Sequence, residues 1–165
     1  MTEKGFWRIE IWHPLSVHFP IALLIFATFI MAISLILKNE KRLTMQKFSS
    51  ILLYAGCIAA WLSIYTGDLA EGTVARKICD PTVLKRHEIG AYTMAYFFSA
   101  ASIVNLMLLF NLLKSKLILI AQYVIVLLML IGTGYLIYVG HLGASLVYEQ
   151  GAGVNTPASD CAGYK

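Results

Sequence analysis

Four histidines are the first candidates for chemistry in this chain: His13, His18, His87 and His141. Neutral imidazole binds haem iron and copper, and histidine is the commonest protein ligand for metal ions. Three of the four lie at the edges of long apolar segments. Ionisable side chains near a bilayer cost free energy and usually have a function there. The histidines therefore suggest a shared haem or metal site, provided that the elements carrying them bring them together.

The composition indicates a membrane protein. Of the 165 residues, 59% are apolar and only 13% are charged, and the mean hydropathy is +0.73, whereas soluble domains carry roughly a quarter charged residues. These values exclude a soluble globular domain and a disordered chain. Three cysteines are too few for a disulfide-rich mini-protein, and a net charge of +4 on so apolar a chain argues against nucleic-acid binding.

Four uncharged apolar segments are long enough to cross about 30 Å of hydrocarbon as helices. They are continuously apolar, which favours helices over the alternating strands of a barrel. We therefore predict an all-α integral membrane protein: an interfacial segment at 1–15, an up-and-down four-helix bundle at 16–140 and an extracytoplasmic tail at 141–165. No internal repeat is evident. The predicted spans are 16–37, 48–66, 89–113 and 117–140.

Positive charge is concentrated at one end of this predicted bundle. Six of the 13 Lys and Arg residues lie in the linkers 38–47 and 114–116, while eight of the nine acids lie in the termini and the 67–88 loop. Under the positive-inside rule the two linkers are cytoplasmic. We therefore expect a bacterial inner-membrane protein whose N- and C-termini are extracytoplasmic, with all four histidines at the outer end.

Helical spacing favours haem over a compact metal site. On an unbroken helix His13 and His18 would point about 140° apart, so they do not readily bind one zinc or copper ion together. Pairing His18 with His87 on diagonal helices, and His13 with His141, would instead suit one or two haem b groups. A copper or zinc site built from the four histidines is the alternative, and a non-catalytic structural subunit of a membrane complex is a third.

Neighbouring residues are candidates for supporting roles. Ala91 shares the helix face of His87 in a stripe of small side chains, where a flat ring would fit, and Arg86 is placed to bind haem propionates. Asp68 or Glu88 would accept the second N–H of a ligating imidazole. Further small residues that would admit haem between helices are Gly56, Ala59, Gly90, Gly132, Gly134 and Gly140.

The cysteines bear on the compartment and on how haem is held. Cys79 and Cys161 are expected on the outer side, where they are candidates for a disulfide. The chain has no CxxCH motif, so haem would be held without a covalent bond. We predict an electron-transfer protein or complex subunit, with no catalytic residue assigned, that passes electrons between quinone and an extracytoplasmic redox partner.

Two segments resemble a known family. The segment 13–20 reads HPLSVHFP, and the segment 140–148 reads GHLGASLVY and is followed by GAGV at 151–154. Both resemble the opening and closing motifs of a bacterial family of four-span membrane proteins, domain of unknown function 2231. Ala144 and Ala152 depart mildly from the closing motif. The resemblance implies the four-span fold over roughly residues 10–155, with His13, His18 and His141 in family motifs. Relatives joined to Rieske-type or cytochrome-type modules imply a redox role by association.

Overall fold

The computed structural model describes residues 8–154. Within this range the chain forms five α-helices and no strand. The helices are α1 (Ile9–Ser16), α2 (His18–Ser34), α3 (Asn39–Val74), α4 (Pro81–Leu109) and α5 (Ser115–Tyr148).

The described residues contain four segments long and apolar enough to cross a membrane. The first combines α1 and α2 as Ile9–Ser34, and α3, α4 and α5 form the other three. Many large apolar side chains are exposed along these helices, as expected for surfaces that meet lipid. The predicted all-α membrane bundle is therefore confirmed.

The four spans are arranged as two hairpins. Helix α2 packs mainly against α3, and α4 packs mainly against α5; the hairpins then meet through α3 with α4 and α2 with α5. Each span therefore lies beside its sequence neighbours, and the first span and α4 are diagonal. The centre of the bundle holds large side chains with almost no exposed surface, which are Leu24, Leu53, Phe98, Ile125 and Met129.

The helices are longer than the apolar segments of the sequence. Helix α3 begins at Asn39, within the segment expected to be a linker, and ends at Val74. Helix α5 continues past position 140 to Tyr148. Hydropathy marks the part of a helix that lies in lipid, whereas backbone hydrogen bonds continue into polar surroundings, so apolar runs underestimate helix length. The loop expected at 67–88 is accordingly short.

A break after α1 separates His13 from His18. Pro20 has no backbone N–H, and its ring would clash with the carbonyl of Ser16, four residues earlier, so the helix is interrupted at Val17. The next bond resumes from Ile21 N–H to the Val17 carbonyl at 3.2 Å. His13 and His18 therefore lie on two successive helices, although Val17 between them keeps right-handed helical dihedral angles.

Helix α4, which carries His87, begins at a side-chain cap. The Asp80 carboxylate accepts hydrogen bonds from the Thr82 hydroxyl at 2.7 Å and the Thr82 backbone N–H at 2.9 Å, and Pro81 occupies the first turn. These bonds hold the pKa of the Asp80 carboxyl below its ordinary value. The expected disulfide to Cys161 lies outside the described residues, and Cys79 is exposed.

Candidate functional site

His13 is held against α3 by a hydrogen bond to the backbone. Its Nδ1 lies 2.8 Å from the carbonyl oxygen of Ser63. A carbonyl can only accept, so Nδ1 carries the proton and donates it. The ring lies over Gly67, one turn further along α3. This fixes one face of the imidazole on α3 and leaves Nε2 with its lone pair.

His87 makes the same contact with α5. Its Nδ1 lies 3.0 Å from the carbonyl oxygen of Val139 and donates to it, and its ring lies over Gly143, one turn later. The donor and acceptor are 52 residues apart, compared with 50 for His13 and Ser63. Each hairpin therefore places a histidine from its first span on a carbonyl and a glycine of its second.

The two imidazoles meet at the centre of this end of the bundle. The ring centroids of His13 and His87 are 5.9 Å apart, and the ring planes cross at 87°. Both rings are partly buried. Since each Nδ1–H is committed to a carbonyl, a neutral pair offers two Nε2 lone pairs to a metal ion or a hydrogen-bond donor.

The other predicted site residues lie in different surroundings. His18 is exposed and lines the same cavity as His13 and His87, and so does Ala91. His141 and Arg86 are exposed and do not line that cavity. The sequence-based pairing joined His18 to His87, whereas the ring contact in the structure joins His13 to His87.

A cavity of about 450 Å³ is lined in part by the histidine pair. Its wall is mostly apolar and includes side chains from all five helices and from the turn at 151–153. No Lys or Arg lines it, and its acidic residues are Glu10, Asp68, Glu71 and Glu88. Pockets for small molecules commonly measure about 300–1,000 Å³, so this cavity has room for an organic ligand.

The carboxylates do not orient the imidazoles. Asp68 accepts a hydrogen bond from the Tyr92 hydroxyl at 2.8 Å, and Glu88 pairs with Lys85 at 2.6 Å. The role suggested for Asp68 or Glu88, accepting a ring N–H, belongs instead to the carbonyls of Ser63 and Val139.

Three of the glycines proposed to admit a ring serve helix packing. A Cβ at Gly56 would lie 2.7 Å from a Leu24 carbon, and one at Gly132 would lie 2.9 Å from the Phe98 ring. Gly90 packs in the same way against Val139. Small residues of this kind let membrane helices approach closely. Gly140 lines the histidine cavity.

The donor set around the pair is limited to two histidines. In the part of the chain that the structure describes, no group of three or more His, Cys, Asp or Glu side chains is placed to hold a metal ion. Structural and catalytic zinc sites take three or four protein ligands. A group that needs two protein donors, such as haem iron, suits the pair better.

Ser63, Gly67, Val139 and Gly143 were missed in the sequence. Ser63 and Val139 act through backbone carbonyls, which leave no trace in residue type. Gly67 and Gly143 are visible in the sequence as glycines, but their contacts with His13 and His87 are known only from the structure, because each glycine is far from its histidine along the chain.

Comparison with known proteins gives the family but no activity. The family model described as predicted membrane protein (DUF2231) matches residues 11–156. No curated protein and no solved structure matches the chain. The match covers most of the sequence and contains all four histidines, nearly all of both hairpins and the turn that lines the cavity. On this evidence the chain belongs to the DUF2231 family of predicted membrane proteins.

Proposed function

We propose that this protein is a membrane b-type cytochrome, which holds haem b between His13 and His87 and carries electrons. The observation that supports this best is the perpendicular pair of imidazoles, with ring centroids 5.9 Å apart and both Nδ1–H groups donated to carbonyls. Metal-ligating histidines almost always donate the second ring N–H in this way.

The number of donors at the pair fits haem. The macrocycle leaves two ligand positions on the iron to the protein, and His13 and His87 would supply them. The apolar wall of the cavity suits a flat hydrophobic ring. The donor count and the apolar wall favour one haem at His13 and His87 over a second haem at His18 or His141.

The charges of the cavity limit how haem would sit. Because the wall carries carboxylates and no Lys or Arg, the propionates would have to remain in water outside it. Arg86 is exposed beside His87 in the sequence and is our candidate partner for a propionate. Carboxylates within the wall would repel a propionate that turned inwards.

The residues of this chain then have separate tasks. Haem supplies a one-electron couple when it is bound. His13 and His87 would hold the iron through Nε2, with the two rings oriented by the Ser63 and Val139 carbonyls. The mostly apolar wall would lower the local dielectric and so tune the reduction potential.

The setting that we propose is the bacterial inner membrane, with the histidine end and both termini extracytoplasmic. The positive linkers at the opposite end support this orientation. Because the proposed haem lies near one membrane surface, electrons would pass between quinone in the membrane and a redox protein outside it. The chain would act as a member of an oligomer or complex.

Visible spectroscopy of the purified protein tests this proposal. We expect a Soret band that sharpens on dithionite reduction, and we expect His13→Ala and His87→Ala each to lose it while the protein still inserts. His141→Ala is the matched control, because His141 is exposed and does not line the cavity. His18→Ala should retain the Soret band. Loss of the band in this variant would support His18 and His87 as the ligand pair instead.

The alternatives predict other results. A protein without haem but with stoichiometric copper or zinc would contradict our proposal and support a metal-binding protein. A protein that binds neither haem nor metal after reconstitution with hemin would support a structural subunit.

A further inference from the structure

The two histidine contacts are made in the same way on two different helices. In α3 the carbonyl acceptor, Ser63, precedes Gly67 by one turn, and in α5 Val139 precedes Gly143 by one turn. In an α-helix the carbonyl of a residue points towards the N–H of the residue four later. Each glycine therefore stands where a side chain would otherwise cover the carbonyl that the histidine uses.

The space at both glycines is filled by the imidazoles. A Cβ at position 67 would lie 3.1 Å from both Cε1 and Nδ1 of His13. A Cβ at position 143 would lie 3.2 Å from Cε1 and 3.7 Å from Nδ1 of His87. Carbon atoms in good contact are about 3.5–4.0 Å apart. A methyl group at either position would therefore require the imidazole to move by a few tenths of an ångström.

Helix stability does not account for these glycines. Alanine has a higher helix propensity than glycine, and the contacts at both positions are made by imidazole rings rather than by apolar side chains. Gly72 and Gly134 lie on the same two helices, and a Cβ at either would meet nothing within 4 Å. Each helix therefore has one glycine that contacts a histidine ring, Gly67 in α3 and Gly143 in α5. Each also has one at which a Cβ would meet no neighbour, Gly72 in α3 and Gly134 in α5.

We propose that Gly67 and Gly143 are positioning residues that fix both histidines with the proton on Nδ1 and the lone pair on Nε2. Their lack of a side chain lets each imidazole reach a helix carbonyl. For the bound group this inference rests on the proposed haem function, since the donated Nδ1–H makes each imidazole a more basic ligand. The tautomer itself is a property of the protein without haem.

The test uses the full chain in detergent micelles, with the variants Gly67→Ala and Gly143→Ala and the controls Gly72→Ala and Gly134→Ala. Nitrogen-15 NMR of labelled histidine side chains, recorded without haem, reports the tautomer of each ring. We expect Nδ1–H at His13 and His87 in the wild type and both controls. Gly67→Ala should lose this state at His13, and Gly143→Ala should lose it at His87.

Reconstitution with hemin gives a second measurement. We expect Gly67→Ala and Gly143→Ala each to weaken haem retention by about 10–100-fold, the usual effect of losing such a supporting contact. The haem that remains should have a higher midpoint potential, because a less basic ligand stabilises the ferric state less. The two control variants should match the wild type in both quantities.

The outcomes separate this inference from the haem proposal. Nδ1–H signals that persist in both alanine variants, or an Nε2–H tautomer in the wild type, would overturn the positioning role. The wild-type tautomer decides the question even if an alanine variant does not fold. Altered tautomers together with no haem in any variant would leave the positioning role intact and contradict haem binding.

Discussion

Hydroxyl groups around His13 form a small network between α1 and α3. The Ser63 hydroxyl donates to Ser16 Oγ at 3.1 Å, and the Ser16 hydroxyl donates to the His13 carbonyl at 3.0 Å. The Thr66 hydroxyl donates to the Ser63 carbonyl at 2.9 Å. The Ser63 carbonyl thus accepts from both Thr66 and the His13 ring. The Ser63 side chain therefore attaches α3 to α1, and the Ser63 backbone carbonyl orients the His13 imidazole.

Replacing Ser63 separates these two purposes. Because the acceptor for His13 is a backbone oxygen, Ser63→Ala should keep the Nδ1–H tautomer of His13. It should lower the free energy of unfolding by about 0.6 kcal/mol, the average for an interhelical hydrogen bond in a membrane. Denaturant titration in micelles measures this, and Ser50→Ala is the control, since the Ser50 hydroxyl bonds within its own helix. Loss of the His13 tautomer in Ser63→Ala would contradict the backbone assignment.

Helices α4 and α5 pack against each other where Gly132 faces an aromatic ring. A Cβ at Gly132 would lie 2.9 Å from Cε2 of Phe98, and the Phe98 side chain is completely buried. A Cβ this close would force the ring or the helix to shift. The close packing of the two helices at this level therefore depends on Gly132.

Alanine at this position should overpack the second hairpin. We expect Gly132→Ala to reduce the free energy of unfolding by about 1–3 kcal/mol, as for other enlarged core residues. Gly134→Ala, two residues away, should be neutral or slightly stabilising because a Cβ there meets nothing within 4 Å. Equal free energies of unfolding for Gly132→Ala and Gly134→Ala in micelles would contradict this expectation and show that α4 and α5 can move apart to accommodate the added methyl group.

The whole molecule is asymmetric along the bundle. The histidine pair, the cavity and the exposed Cys79 lie at one end, and the positively charged α2–α3 and α4–α5 connections lie at the other. This asymmetry is what orients a membrane protein during insertion. It leads us to expect the histidine end on the extracytoplasmic side of the membrane.

Labelling with a thiol reagent that cannot cross the membrane tests this orientation. In a Cys161→Ser background, Cys79 should react in intact cells, because its side chain is exposed. A cysteine introduced by Asn111→Cys, between α4 and α5, should react only after the membrane is broken. The reverse pattern would place the histidines on the cytoplasmic side.

The amino-acid sequence by itself determined the class of the protein, the number of spans and the end of the bundle at which the histidines lie. These follow from hydropathy and charge, which act over whole segments and depend little on packing. The bounds of individual helices are less well determined. Pro20 interrupts the backbone hydrogen bonds near Val17 and divides the first span into two helices, although Val17 keeps right-handed helical dihedral angles.

Only the tertiary structure decided which histidines meet. His13 and His87 are brought together by two hairpins that each seat an imidazole on a carbonyl beside a glycine. A backbone carbonyl is present at every residue, so no residue type marks the ones that histidine uses. The partner of a side chain across the bundle is set by how the helices pack, and this is the information that a linear pattern of residues lacks.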